Sequence, residues 1–314
     1  MGTTLTVSVE APTRAQALAA SEAAARAVES CEARLSTWRD DSELALLNRH
    51  PVDRPFELSP ALRAELSRAH QIWAWTDGAF DPSLGGAIAA WGLRSGGRVP
   101  ASDELQQALV TDGFAALELA GDSAVRRDGR LQVEEGGFGK GAGLDAAVAA
   151  LEHTAATRAT VDLGGQLVLF GELARPVTIG VADPDDRERE VAHVSIDGGS
   201  IATSGNSERA IEVDGKRHSH LLDPRTGRPC DDFGSLTVWA PDALTADALS
   251  TALYVMGPDR ALAWAERNEG VEVLALVRSS DGIDVRATSG WAPTIEARDT
   301  PRVMQRGLRS AAND

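Results

Sequence analysis

The two halves of the chain carry different sequence patterns, and this difference restricts the fold more than any other feature. Residues 13 to 35 are rich in alanine and poor in helix breakers, so they predict a long helix that ends near Leu35. From about Ala159 the chain changes to short β-branched runs separated by Gly, Asp and Pro, at 159 to 170, 177 to 182, 191 to 203, 208 to 222 and 234 to 240. Helices segregated from strands predict an α+β fold with a mixed sheet and flanking helices, rather than a doubly wound sheet.

Other elements follow from the same rules. Ser59 and Pro60 occupy the N-cap and first-turn positions of a second helix, and Gly78 ends it. We also predict a first strand with Leu5, Val7 and Val9 facing inward, a short helix from Ser102, a helix from about Thr245 to Met256, and strand-like runs at 271 to 278 and 283 to 288. The 314 residues contain no low-complexity linker. We therefore predict one domain over 1 to 300, helix-rich to about 155 and sheet-rich from about 156, with a C-terminal tail at 301 to 314.

The charge of the chain restricts its partners. Lys plus Arg number 31 against 47 for Asp plus Glu, which gives a net charge of -16. This charge argues against general nucleic-acid binding, so a phosphorylated ligand must be drawn in locally by a divalent cation, backbone amides or a few Lys and Arg residues. No segment reaches the roughly 18 apolar residues of a membrane span, and the start MGTTLTVSVE does not look like an export signal. The sequence predicts a cytoplasmic protein, unless an export signal has already been removed.

The two cysteines, Cys31 and Cys230, show neither CxxC spacing nor the spacing of a catalytic nucleophile. The sequence therefore supports neither a disulfide framework nor a thiolate metal site. We predict two buried or inert thiols.

The segment TADALSTALYVMG places Asp247 and Thr251 four residues apart, so their oxygens project from one face of a helix, one turn above each other. A carboxylate and a hydroxyl, completed by a backbone carbonyl and phosphate oxygens, suit magnesium. The alternative is that both residues serve only the first turns of the helix.

The segment EEGGFGKGAGLDAAVAAL combines a glycine-rich turn, Lys140 and an alanine-rich helix. Backbone amides and one ammonium group could approach a pyrophosphate there. Because Gly141 follows Lys140 where Ser or Thr is required, this is not a Walker A loop. A plain strand-to-helix turn is the alternative interpretation.

The segment HSHLLDPRTG places His218 and His220 two residues apart, which on a strand directs both rings to one side. A zinc pair lacks further Cys or His ligands nearby, so a general base or phosphate contact at His220 is favoured. In TDGAFDPSLGG, Ala79, Phe80 and Asp81 form either a loop that meets a flat heterocycle or only a packed turn. Trp38 is either a partly buried anchor or a stacking surface.

Several segments together carry a resemblance to one family. In chain order they are MGT, RLSTWRDDSELALLN, TDGAFDPSLGGAIAAWG, GGFGKG, DLGGQ, SIATSGNSER, VDGKRHSHLLDPRTGRP and ADALSTALYVMG. This collinear set resembles the FAD:protein FMN transferase family, also called ApbE, over nearly the whole chain. The resemblance implies an ApbE-like, T-fold-related domain with its flavin site in a cleft between two lobes. It also implies an enzyme that cleaves FAD at its pyrophosphate, releases AMP and leaves FMN esterified to a Thr or Ser of a flavoprotein.

The resemblance also implies roles for individual residues. The positions that would grip the flavin are Met1, Trp38, Ala79, Phe80, Asp81, Glu134, Lys140 and Leu221. Magnesium would be held by Asp247, Thr251 and the carbonyl of Gly137, and His220 and Asp247 would be catalytic. The implied partners are FAD, as substrate, and an acceptor flavoprotein with a short Gly-Ala-Thr-type motif.

Some positions depart from the family pattern. Glu134 and Glu135 stand where Asp and a hydrophobic residue are usual, Asn206 and Ser207 where an acidic residue and an aromatic are usual, and Asp162 where Asn is frequent. Two alternatives to the transferase therefore stay open. One is an FAD pyrophosphatase, in which water replaces the acceptor hydroxyl, and the other is a flavin-binding protein without activity.

Overall fold

The computed structural model describes residues 2–206, 210–213, 215–291 and 296–297. Met1, Ser207 and the predicted tail at 301 to 314 lie outside these residues. Most helices precede residue 153 and most strands follow residue 157. This arrangement confirms the predicted α+β fold.

The helices are α1 (Arg14–Leu35), α2 (Glu43–Arg49), α3 (Pro60–Trp75), α4 (Gly85–Ala90), α5 (Ser102–Ala108), α6 (Gly139–Glu152), α7 (Ala243–Met256) and α8 (Pro258–Ala265), with a 3-10 turn at Gly113–Ala116. The early strands are β1 (Leu5–Glu10), β2 (Pro55–Glu57), β3 (Leu117–Ala120) and β4 (Ser123–Arg126). The later strands are β5 (Arg158–Leu163), β6 (Gln166–Phe170), β7 (Val177–Ala182), β8 (Glu190–Ile196), β9 (Gly199–Gly205), β10 (Ala210–Val213), β11 (Lys216–Ser219), β12 (Leu222–Asp223), β13 (Arg228–Pro229), β14 (Gly234–Ala240), β15 (Glu272–Ser279), β16 (Gly282–Ala287) and β17 (Glu296–Ala297).

Seven strands of the described chain form one antiparallel sheet in the order β1-β5-β6-β9-β14-β15-β16. Strand β1 alternates as predicted, with Leu5, Val7 and Val9 turned inward. It pairs with β5, so the first strand of the helix-rich half belongs to the sheet of the other half. The division of the chain into one domain and a tail stays a prediction of the sequence.

Both faces of the large sheet are covered. On one face, Ala24 of α1, Leu144 of α6 and Val161 of β5 belong to one buried cluster, and α7 packs against β9 and β14. On the other face, Val194 of β8 packs with Leu274 of β15 in a second cluster. Among the described residues, every helix is too short or too polar to reach across a membrane.

Several elements were not predicted. No helix was predicted in the segment STWRDDSELALLN, whereas residues 43 to 49 form α2, whose N-cap is Ser42. Its buried residues are Leu44, Ala45, Leu47 and Asn48, so α2 is held by tertiary packing on one face. Helices α4 and α8 and the small sheet β2-β4-β3 were also missed, because they are too short for a clear periodic signal.

Helices α6 and α7 meet at their N-terminal ends, and this contact positions the candidate site. A Cβ atom at Gly141 would lie 2.2 Å from the Ala243 carbonyl oxygen, so only glycine allows the approach. The two carboxylate oxygens of Asp145 accept hydrogen bonds from the N–H groups of Ala243 (2.8 Å) and Leu244 (2.9 Å). In return, Asp247 of α7 accepts a hydrogen bond from the N–H of Gly141 (2.9 Å). Each helix therefore supplies a carboxylate to the backbone of the other.

We expect Gly141→Ala to destabilise the protein by about 1–3 kcal/mol, the usual cost of overpacking a close contact. The sign of the stability change is informative, because Gly→Ala at a helix position with free space around it stabilises by roughly 0.5–1 kcal/mol. Urea denaturation measures the change. Gly198→Ala is the matched control, because a Cβ atom there meets no atom within 4 Å. Equal stability of Gly141→Ala and the unsubstituted protein would contradict the close approach of α6 and α7.

Candidate active site

Asp247 and Thr251 lie on one ridge of α7, as their spacing predicts. Asp247 is 2% exposed, and both of its carboxylate oxygens have donors. Lys140 Nζ lies 3.1 Å from Oδ1, and the N–H of Gly141 lies 2.9 Å from Oδ2. The carboxylate is therefore held in one orientation at the start of α6.

The glycine-rich loop passes directly over this ridge. A Cβ atom at Gly137 would lie 3.4 Å from Thr251 Oγ1 and 3.3 Å from the ring of Phe80. The backbone at Gly137 therefore lies close to both side chains, and a larger residue there would crowd them. Carboxylate, hydroxyl and backbone carbonyl oxygens are the hard ligands that magnesium prefers. The described residues hold no group of three or more His, Cys, Asp or Glu side chains that could bind a metal.

Lys140 lies in the first turn of α6, which begins at Gly139. The dipole of a helix favours an anion at its N-terminal end. A diphosphate placed beside the Asp247–Thr251 ridge would meet this helix end and the ammonium of Lys140 together.

The loop at 79 to 81 is packed inward. Phe80 is buried and meets Phe138 edge to face, with ring centroids 6.3 Å apart. Asp81 accepts hydrogen bonds from the Ser83 N–H (2.8 Å), the Phe114 N–H (3.2 Å) and Trp73 Nε1 (3.2 Å). Burial raises the pKa of Asp81, and these donors oppose that rise. Both side chains are thus engaged within the protein, and the loop would offer a ligand chiefly its backbone.

The predicted flavin residues Trp38 and Glu134 are joined by residues that the sequence analysis did not single out. Thr37 Oγ1 lies 3.1 Å from Glu134 Oε2 and 2.6 Å from Glu135 Oε2. The Arg94 guanidinium forms an ion pair with Glu134 and lies 4.7 Å from the centroid of the Trp38 ring. Trp38 is 67% exposed, which favours the stacking-surface interpretation over the buried anchor.

Glu134 lies in an unusual electrostatic environment. Burial raises its pKa to about 7, and the neighbouring Glu135 carboxylate adds to the rise. The guanidinium of Arg94 and the hydroxyl of Thr37 act in the opposite direction. The Glu134 carboxyl therefore changes protonation near neutral pH.

The two histidines are not arranged as predicted. Strand β11 ends at Ser219, so His218 lies on the strand while His220 follows its end, and the idea of two rings on one side of a strand is wrong. The ring of His218 contacts Trp91, with centroids 5.5 Å apart. His220 thus belongs to the turn that leads into β12.

This turn is connected to α7. The Ser219 hydroxyl donates to Asn206 Oδ1 (2.7 Å), and Asn206 Nδ2 donates to the hydroxyl of Tyr254 (3.1 Å). Tyr254 lies about one helical turn beyond Thr251 on α7. The turn that carries His220 is therefore fixed to the same helix as the predicted metal ligands.

Leu221 follows His220 and is half-buried against the main core, and its carbonyl oxygen accepts a hydrogen bond from the Cys230 N–H (2.8 Å). Burial raises the pKa of Cys230 to about 12 and also raises that of the fully buried Cys31. Neither thiol ionises near neutral pH, in agreement with the predicted inert thiols.

Thr37, Arg94 and Tyr254 were not predicted as site neighbours, and Asn206 was named only as a departure from the family pattern. Thr37 and Asn206 lie inside segments that carry the family resemblance. Their position in these segments was the sequence signal that could have placed them near the site. Arg94 stands alone in the loop WGLRSGG, and no local pattern connects it with Glu134, 40 residues later. Only the folded chain brings these residues together.

Comparison with known proteins identifies the family of the chain. The model of the ApbE family matches residues 1–275, and the chain belongs to this family. The chain is 33% identical to the FAD:protein FMN transferase of Vibrio cholerae serotype O1 over 86% of this chain and 83% of that relative. It is 34% identical to that of Salmonella typhimurium over 79% of this chain and 74% of that relative.

Solved structures show the same similarity. The flavin transferase ApbE of Vibrio cholerae superposes with a TM-score of 0.81 at 31% identity, covering 94% of this chain and 96% of that one. The apo form of the flavinyl transferase ApbE of Pseudomonas stutzeri also superposes with a TM-score of 0.81, at 29% identity, covering 94% of each chain. The fold predicted from the resemblance is confirmed.

The raised pKa of Glu134 predicts a pH-dependent stability. The ordinary pKa is 4.5 and the folded value is about 7, so the folded state binds this proton more tightly than the unfolded state. The stability advantage of the protonated carboxyl is complete below about pH 4.5 and is lost as the pH rises to about 7. We expect the difference in unfolding free energy between the unsubstituted protein and Glu134→Gln to fall by about 1–3 kcal/mol over this window.

Urea denaturation of both proteins at a series of pH values measures this difference. Groups that do not interact with Glu134 contribute equally to both proteins and cancel in the comparison, whereas Arg94 and Glu135 enter the difference through their coupling to Glu134. A difference that stays constant from pH 4 to pH 8 would show that Glu134 titrates normally.

Proposed function

We propose that this chain is a magnesium-dependent FAD:protein FMN transferase, which attaches FMN to a Thr or Ser of an acceptor flavoprotein and releases AMP. The observation that carries the proposal is the meeting of Asp247, Thr251 and the backbone of Gly137 beside Lys140 and the N-terminal end of α6. This set of groups suits a cation and a diphosphate together. The names of the relatives in Vibrio cholerae and Salmonella typhimurium supply the substrate and the reaction.

Asp247, Thr251 and the carbonyl of Gly137 would hold Mg²⁺. When bound, the ion neutralises charge on the oxygens of the diphosphate. Lys140 and the N-terminal end of α6 attract the same diphosphate, which the overall charge of -16 would otherwise repel. Binding of this substrate thus depends on a few local positive groups.

The flavin half would lie on the exposed ring of Trp38, near Glu134, Leu221 and the backbone of residues 79 to 81. Met1, which the resemblance also assigns to the flavin, lies outside the described residues. Stacking on an exposed aromatic ring and polar contacts at the edge are the usual way in which proteins orient a flat heterocycle.

In the transfer step, the acceptor hydroxyl oxygen attacks the phosphorus of the FMN half. The bond from this phosphorus to the bridging oxygen breaks, and AMP leaves with that oxygen. His220 accepts the proton of the hydroxyl, because an imidazole has an unperturbed pKa near neutrality. Most of the rate would come from placing the two reactants in line, so few catalytic side chains are needed.

The direct test is incubation with FAD, Mg²⁺ and an acceptor flavoprotein that carries a short Gly-Ala-Thr-type motif. We expect a fluorescent protein adduct in a denaturing gel and one AMP released per adduct. AMP and free FMN formed without acceptor would instead indicate the pyrophosphatase. FAD retained without turnover would indicate a binding protein. The cytoplasmic location stays a prediction of the sequence.

The metal assignment predicts the behaviour of Asp247→Asn. This change keeps the shape of the side chain and one oxygen for the Gly141 N–H, but removes the charge that the cation and Lys140 require. We expect transfer to fall by roughly 10²-fold or more, as for loss of one charge-stabilising group. We also expect the Mg²⁺-dependent rise in Tm of the FAD complex to disappear.

Asp259→Asn is the matched control, because this carboxylate is 87% exposed and, within the described part of the chain, its ion pair is with Arg286 on the surface. It should keep both transfer and the Mg²⁺ effect on Tm. Alanine is a poorer choice at 247, since it would leave the buried N–H of Gly141 without its acceptor. Full transfer by Asp247→Asn would exclude this residue as a metal ligand.

A further inference from the structure

We propose that Arg94 is a positioning residue for the flavin, because it holds the Trp38 ring and the Glu134 carboxylate in one rigid unit. We call Thr37, Trp38 and Glu134 the Trp38 platform. The inference rests on the proposed function, since it takes the flavin of FAD as the occupant of this platform. The resemblance assigns Trp38 and Glu134 to the flavin but gives no role to Arg94.

Arg94 covers one face of Trp38. Its Cζ atom lies 4.7 Å from the ring centroid, within the roughly 6 Å over which a guanidinium attracts an aromatic face. Trp38 is nevertheless 67% exposed, so the opposite face of the indole is open to solvent. A flavin could stack on that open face while Arg94 supports the ring from behind.

The same guanidinium also binds the other members of the platform. It donates to the Thr37 carbonyl oxygen (3.2 Å) and to the Thr37 hydroxyl, and it forms the ion pair with Glu134. A planar group with several donors can make these contacts at once, which a lysine cannot. Arg94 is 31% exposed and Glu134 14%, so this pair is better shielded from solvent than an ordinary surface ion pair.

The loop that carries Arg94 is closed by its own backbone. Hydrogen bonds join the Arg98 N–H to the Trp91 carbonyl oxygen and the Gly97 N–H to the Gly92 carbonyl oxygen, each at 2.9 Å. Trp91 is buried, and its Nε1 donates to the Gly227 carbonyl oxygen at 2.8 Å. Arg94 therefore projects from an anchored loop and can restrain a residue as exposed as Trp38.

Without Arg94, the exposed Trp38 side chain would have more conformational freedom. Binding of the flavin would then have to remove this freedom at a cost in free energy. The Glu134 carboxylate would also lose its cationic partner beside Glu135. We expect Arg94→Ala to raise the Kd for FAD by about 5- to 50-fold, the range for losing preorganisation of one or two side chains. Arg94→Lys keeps a cation for Glu134 but loses the planar guanidinium group. Its Kd for FAD should therefore lie between those of the unsubstituted protein and Arg94→Ala.

The test is titration of FAD into the full chain in EDTA, followed by flavin fluorescence, so that no turnover disturbs the binding curve. Arg98→Ala is the matched control, because it lies in the same loop and pairs with Glu104, away from the platform. This control should bind FAD like the unsubstituted protein. If Arg94→Ala fails to fold, as checked by circular dichroism, Arg94→Lys carries the test with a smaller expected rise in Kd.

A second measurement separates positioning from a merely structural effect. In a Trp38→Ala background, Arg94→Ala should raise the Kd by a clearly smaller factor than in the unsubstituted protein, because one of the two groups that Arg94 positions is gone. Equal FAD affinity of Arg94→Ala and the unsubstituted protein, tighter binding by Arg94→Ala, or full additivity with Trp38→Ala would each overturn the inference. If the unsubstituted protein binds FAD neither in EDTA nor with Mg²⁺ present, the proposed function itself fails and this inference fails with it.

Discussion

The contact between the N-terminal ends of α6 and α7 is the constraint on which the candidate site depends. Gly141 lets the two backbones approach, and Asp145 and Asp247 each bind backbone N–H groups of the opposite helix. These reciprocal bonds satisfy helix-end donors that would otherwise be unpaired in the interior. They also place the Asp247–Thr251 ridge beneath the glycine-rich loop. The packing of the fold and the geometry of the site therefore have the same cause.

Electrostatics set a second condition. The chain carries a net charge of -16, yet its proposed substrate is an anion. Within the described site, Lys140 faces Asp247 and Arg94 faces Glu134, so each cation stands beside a carboxylate. Each pair is close to neutral overall, so neither leaves a buried charge uncompensated.

Much of the fold was readable from local signals. Caps predicted α3 and strand alternation predicted β1, and the change of pattern near residue 159 predicted the α+β class. The missed helices α2, α4 and α8 have eight or fewer residues, too few turns for a periodic signal. The histidine pair was misread because the end of β11 at Ser219 depends on pairing with β10. The local sequence pattern does not show where the pairing between two strands ends.

The sequence by itself determined that Asp247 and Thr251 share a helix face, because their spacing matches the helical repeat. It also determined the family, through motifs in collinear order along the chain. Only the tertiary structure decided that Gly137 lies over Thr251 and that Arg94 covers Trp38. These partners are tens of residues apart, and contacts of that kind arise from the packing of whole elements, which short-range propensity does not encode.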